Sequence, residues 1–271
     1  MNFLLAFKLF APLLSAANSP APIVIEAGPS YALKATAPDL IVQKEDLEIH
    51  CQFSYCNVHA SYEINSPKDM SLAFQFILPS KNEISPKINE VAATVSGLAL
   101  LPGGSEAPLF QAGFQGYLKA GKNILSVRYL QPLKMNLRRG YVLSSAEGDS
   151  SFRYILSPLK EWKLGDNFSL KIKVLWDLPR RNFFSRLFGG GYREILCNED
   201  EIVAKQSSDR VLSVPNGEAQ VMEFEFGSSF PDELKCSGSL SPELSRIYEG
   251  DPERLSDAFL RHQDENTQSA Q

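Results

Sequence analysis

The residues His50-Cys51-x4-Cys56-x2-His59 have the types and close spacing of a zinc knuckle, in which thiolates and imidazoles close a tetrahedron around one ion. Strand geometry argues against that chemistry. Leu47, Ile49 and Cys51 alternate with Glu48 and His50, and Cys56, Val58, Ala60, Tyr62 and Ile64 alternate with Asn57, His59, Ser61 and Glu63. If Cys51 stands opposite Cys56, Ile49 falls opposite Val58, Glu48 opposite His59 and His50 opposite Asn57. Both histidines then lie on the face away from the cysteines. The expectation is a cystine on a hairpin, no metal, and a solvated outer face with a cross-strand Glu48–His59 pair.

A second cluster lies downstream. Arg180, Arg181, Phe183, Phe184, Arg186 and Phe188 crowd a connection that follows Leu178-Pro179 and ends in Gly189-Gly190-Gly191. Exposed, such a cluster marks a contact with a partner or a membrane surface. Folded back, its phenylalanines plug one end of the core. Trp162, in the turn-like Lys160-Glu161-Trp162-Lys163, is the candidate for an aromatic carbohydrate platform, whereas Trp176 fits an inward strand position.

Other chemistries find no pattern. Gly-x-Ser-x-Gly is absent, Gly104-Ser105 and Gly227-Ser228-Ser229 sit in turns, and no phosphate loop, dinucleotide fingerprint or EF-hand loop occurs. Cys-His catalysis needs a free thiol, and four cysteines fit an oxidising compartment. The pairings favoured among the three possible are Cys51–Cys56 and Cys197–Cys236. A cofactor is not expected. The sequon Asn167-Phe168-Ser169 matters only in a eukaryotic secretory route.

The elements that would position these groups are strands. After the hairpin, Met70, Leu72, Phe74, Phe76 and Leu78 share one side, which extends the hairpin into a three-stranded antiparallel meander. Strands are also expected at 31–36, 40–43, within 88–100 ending near Gly97, and at 114–118. Ala120-Gly121-Lys122-Asn123 then has hairpin chemistry leading into Ile124–Leu130. Further strands fall at 152–156, 168–176, 193–197, 201–204, 211–214 and 220–226. About ten short strands between turn signals predict an all-β fold, an antiparallel β-sandwich spanning 30–240. The period changes at Ser241-Pro242-Glu243 and again at Asp251-Pro252-Glu253, helix starts that predict two short helices within 241–262, followed by a polar, disordered tail at 263–271.

The apolar run Phe3–Leu14 followed by Ser15-Ala16-Ala17 reads as a signal peptide over 1–17, with an exposed leader at 18–29. No cysteine precedes Cys51, so a lipoprotein anchor has no support, and no later stretch is apolar enough to span a bilayer. Loss of Lys8 with the signal leaves 26 basic and 32 acidic side chains, a net charge near −6, which opposes nucleic-acid binding.

In order, Lys44-Glu45-Asp46-Leu47-Glu48-Ile49, Asn57–Ile64, Phe74-Gln75-Phe76-Ile77-Leu78-Pro79, Leu118–Asn123 leading to Val127-Arg128-Tyr129, and Phe152–Leu156 resemble exported bacterial β-sandwich proteins of unknown function. The likeness covers about Asp39–Pro179. It implies a β-sandwich outside the cytoplasm and brings no catalytic residues. The expected function is therefore an exported, non-catalytic envelope or secreted protein that acts through protein or surface contacts. A carbohydrate-binding module is the alternative and an extracytoplasmic hydrolase the third reading.

Overall fold

A computed structural model describes residues 23–25, 30–35, 39–52, 54–79, 84–101, 109–138, 147–178, 195–197, 205–214 and 217–239. The fold is all-β, and among the described residues the one helical element is a 3-10 turn at Ser157–Glu161. The largest sheet has eight strands. It contains β4 (Ile41–Cys51), β5 (Tyr55–Ser66), β7 (Ser85–Ile88), β8 (Val91–Ala92), β11 (Gly121–Pro132), β14 (Lys163–Leu178), β16 (Lys205–Val214) and β17 (Gly217–Phe226). Their order across the sheet is β16-β17-β14-β4-β5-β11-β7-β8. A four-stranded sheet is ordered β3 (Lys34–Ala35), β6 (Met70–Leu78), β10 (Leu109–Leu118), β9 (Val95–Leu101). A six-stranded sheet joins β1 (Ile23–Ile25), β12 (Lys134–Arg138), β13 (Glu147–Ile155), β18 (Glu233–Ser239) and β15 (Leu196–Cys197), with β2 (Ser30–Tyr31) on β13.

The two smaller sheets cover the inner face of the large one. Phe76 of the four-stranded sheet meets Tyr129 edge-on at 5.7 Å, and Phe152 of the six-stranded sheet lies 6.2 Å from Trp176. Period-two alternation builds this layer: Leu47, Ile49 and Cys51 on β4, Cys56 to Ile64 on β5 and Leu170 to Trp176 on β14 turn inward and are buried. At Gly116 the layers are in close contact: a Cβ there would sit 1.8 Å from Ile88 Cδ1.

The hairpin register is as expected: Cys51 opposes Cys56, Ile49 opposes Val58, Glu48 opposes His59 and His50 opposes Asn57. Other expectations need correction. The meander stops at two strands, because β6 leaves β5 to pair with β10 and β3, and β11 takes the place beside β5. Both β6 and β11 carry alternating bulky inward residues (Phe74, Phe76 and Leu78; Leu125, Val127 and Tyr129), so period alone could not choose the neighbour of β5. Likewise Lys119-Ala120 is a corner between sheets, since β10 and β11 lie in different layers. Gly121, at φ 92°, turns it, and the buried Asn123 side chain clamps it through the Lys119 N–H (2.9 Å) and carbonyl (2.8 Å).

The antiparallel sandwich of about ten strands is replaced by eighteen described strands in three sheets, with parallel pairs between β4 and β14 and between β2 and β13. Three residues of the stretch read as a leader are drawn in as β1. The signal segment, the two C-terminal helices and the polar tail lie outside the described residues.

Candidate functional site

Two disulfides are present, Cys51–Cys56 and Cys197–Cys236, and no cysteine is free. Each joins residues directly opposite across an antiparallel pair, β4–β5 and β15–β18. The cysteines are therefore spent on staples. The histidines stand outside them, each with its own neighbours. His50 Nε2 is 2.8 Å from Asp177 Oδ1. Burial first, and then the Arg128 guanidinium, hold the His59 pKa below the ordinary value against the pull of Glu48, while Glu48 meets Lys173 at 3.5 Å. Among the described residues no group of three or more His, Cys, Asp and Glu could hold a metal.

Trp162 follows the 3-10 turn and points inward. It is 9% exposed, and its indole N–H donates to the Leu33 carbonyl at 2.9 Å. A ring so placed offers no open platform. The residues Arg180, Arg181, Phe183, Phe184, Arg186 and Phe188 lie outside the described residues.

The Trp162 bond belongs to a buried polar seam. Residues 30–35 cross from the six-stranded to the four-stranded sheet under the inner face, and at Leu33 the backbone is buried without a ladder partner. Buried amides need partners, and side chains supply them: Tyr62 Oη accepts from the Leu33 N–H at 3.2 Å, and Trp162 serves the carbonyl. Tyr62 and Tyr154 hydroxyls meet at 3.2 Å, and Tyr154 donates to Glu45 Oε1 at 3.5 Å. Ser30 Oγ donates to Gln131 Oε1 at 2.6 Å, and Gln131 Nε2 donates to the Arg153 carbonyl at 2.9 Å.

Glu45 is fully buried, and desolvation lifts its pKa to about 8, outweighing the tyrosine hydrogen bonds that lower it. At neutral pH it is mainly an uncharged acid. Tyr129 lies in the same seam, its hydroxyl beside Ser30. Sequence reasoning missed Glu45, although a signal was available: the alternation of Leu47, Ile49 and Cys51 continues backward to Glu45, and the same register sets it opposite Tyr62.

Across the outer face of the large sheet runs a charge ladder. Lys171 stands between Asp46 and Glu225, and Lys173 between Glu48 and Glu223, around a groove of about 420 Å³. Lys171–Glu225 and Lys173–Glu48 are 3.5 Å pairs, half-exposed. Contacts of this kind contribute about 0–1 kcal/mol each and suit register more than ligand capture.

The four-stranded sheet differs. Its outer face carries Gln75, Gln111 and Gln115 around a trough of about 400 Å³ floored by Gly97 and Gly113, with no charged side chain in the lining. On the same β10 face Tyr117 is 53% exposed, its hydroxyl donating to Asp69 Oδ2 at 2.8 Å. Its margin, β9, is bonded to β10 on one side and, among the described residues, to nothing on the other. The strand reads Val-Ser-Gly-Leu-Ala-Leu-Leu, without charge or proline. Leu98 and Leu100 stand opposite Ala112 and Phe110, on the core-facing side, yet are 41% and 63% exposed. Val91, on the rim strand β8 of the large sheet, is 70% exposed. Beyond the bulge at Gly97, the run Leu98–Leu101 carries none of the lysine or proline with which soluble proteins normally guard such edges.

No protein-family model and no curated protein matches the sequence. Among solved structures, the fold is similar to that of a "putative nutrient binding protein" from Legionella pneumophila, with a TM-score of 0.51 and 11% identity, covering 83% of this chain and 74% of that one. Native leukotriene A4 hydrolase of Saccharomyces cerevisiae aligns with a TM-score of 0.36 and 8% identity, over 76% of this chain and 30% of that enzyme. At 11% identity the likeness to the Legionella protein is one of fold alone.

Proposed function

We propose that this chain is an exported, non-catalytic protein that works by contact, with the β8–β9 margin as its contact surface. The observation that carries the reading is the uncharged edge β9, whose Leu98 and Leu100 are exposed and whose outer side meets no other strand among the described residues. The two disulfides support an oxidising, extracytoplasmic setting. The Arg180–Phe188 segment is kept as a second proposed contact.

The test is association of the intact protein with isolated bacterial envelopes, measured by co-sedimentation for wild type and for Val91→Lys/Leu98→Lys/Leu100→Lys. Retention of wild type and release of the variant is the expected result. Equal retention of both removes the margin from the reading.

A carbohydrate-binding role is the second reading, and what favours it is the neutral trough of three glutamines beside exposed Tyr117. Amides hydrogen-bond vicinal hydroxyls and an aromatic face covers sugar C–H groups. From Gln111 to Tyr117 the strand rises about 20 Å, the reach of a short oligosaccharide. Calorimetry with neutral oligosaccharides should then show binding that Tyr117→Ala weakens at least tenfold.

A further inference from the structure

Resting on the contact reading, we propose that the occupant of the β9 edge is a second copy of this chain, joined β9 to β9 in antiparallel about a two-fold axis at Ala99. A strand edge has rows of backbone donors and acceptors that only another extended strand can satisfy along its length. A two-fold axis sets the edge against a copy of itself, so an edge of one charge sign would repel its partner, whereas all seven residues of β9 are neutral.

The side chains match in the same register. With Ala99 on the axis, Leu98 opposes the partner's Leu100 and Leu100 the partner's Leu98, forming a four-leucine cluster on the core-facing side. On the other side Ala99 meets the partner's Ala99 and Gly97 meets the partner's Leu101. The pair of alanines keeps that face low at the axis, beside the trough lined by Gly97 and Gly113. Two four-stranded sheets thus become one of eight, and the exposed Leu98 and Leu100 are covered.

The experiment is sedimentation velocity of the intact protein from micromolar to near-millimolar concentration, combined with hydrogen exchange of the β9 amides over the same range. The expected result is a shift from one chain to two, with β9 amides slowing at least tenfold as the dimer fills. Leu98→Lys/Leu100→Lys should remain monomeric throughout with an unchanged melting temperature. Ala99→Cys should yield a disulfide-linked dimer on mild oxidation, and Ser71→Cys, on the outer face of β6, should not. A wild type that stays monomeric at every concentration overturns the proposal, as does a dimer indifferent to the lysine pair. A monomer that envelopes still retain through Leu98 and Leu100 overturns the homotypic partner alone and leaves the contact reading standing. A monomer whose envelope retention ignores those residues removes both.

Discussion

Two regions of this molecule have their polarity reversed relative to their surroundings. In the seam below the large sheet, a carboxyl group, three tyrosines and an indole N–H lie where hydrocarbon normally packs. At the β9 margin, leucine and valine stand where lysine and glutamate normally guard an edge. The seam is answered from within: the backbone crossing at Leu33 requires partners, and Tyr62 and Trp162 meet that need. Nothing within the described chain answers the margin. A reversal that is satisfied internally belongs to stability, and one that is left open belongs to association. Substitutions in the two places should therefore separate folding from contact.

The largest effect is expected at the tyrosine pair. Tyr62 and Tyr154 are among the biggest fully buried side chains. Truncating either to alanine removes packing, leaves a cavity and strands the Leu33 N–H or the Glu45 carboxyl. Aromatic-to-alanine changes in cores cost about 3–5 kcal/mol, so urea midpoints should fall accordingly, with envelope retention of the remaining folded fraction unaltered. A change near 1 kcal/mol would mean the seam is looser than its hydrogen bonds suggest.

Glu45 gives the comparison a pH axis. Its folded pKa is about 8 against an ordinary 4.5, so between those values the native state holds a proton that the unfolded chain has released. Stability from this group is full below pH 4.5, declines as pH rises, and is gone above pH 8. The slope is at most about 1.4 kcal/mol per pH unit. Glu45→Gln removes the titration, so the difference between wild type and variant in urea unfolding should open in that window and favour the variant at pH 9. Parallel curves from pH 4 to 9 would show that the carboxyl reaches water. Smaller again is Trp162→Phe, which keeps a ring but leaves the buried Leu33 carbonyl unpaired, at a cost of about 1–3 kcal/mol in thermal or urea unfolding.

The seam was more legible in the sequence than the margin. Alternation placed Tyr62 and Phe152-Arg153-Tyr154 correctly, and the Cys51–Cys56 register carried back to Glu45 would have set an acid opposite a tyrosine inside the core. What local pattern could not supply was the crossing at 30–35 that makes this cluster necessary, since it depends on which sheets β2 and β3 join. The margin failed for a different reason. The strand expected within 88–100 ends near Gly97, and the apolar run Leu98-Ala99-Leu100-Leu101 beyond it has no period-two alternation to tell an inner face from an outer one. The glycine instead lies within β9 at a β-bulge against β10, and Leu98 and Leu100 beyond it are exposed. Exposure there is a property of sheet edges, and a single strand's sequence carries no record of its rank in the sheet.

The smallest effect on folding, and the sharpest test of the comparison, is expected at the margin. Leu98 and Leu100 already retain 41% and 63% of their exposure, so replacing both by lysine sacrifices little burial, and the long lysine stems can still lie along the apolar rim. Surface changes of this kind fall within about 0.5 kcal/mol each, and the urea midpoint should hardly move. Any contact made through the edge should instead vanish, because one desolvated lysine per strand outweighs the gain from a short stretch of ladder. A fall in stability comparable to that at Tyr62 would mean that the leucines serve the core and that the margin, like the seam, is answered from within.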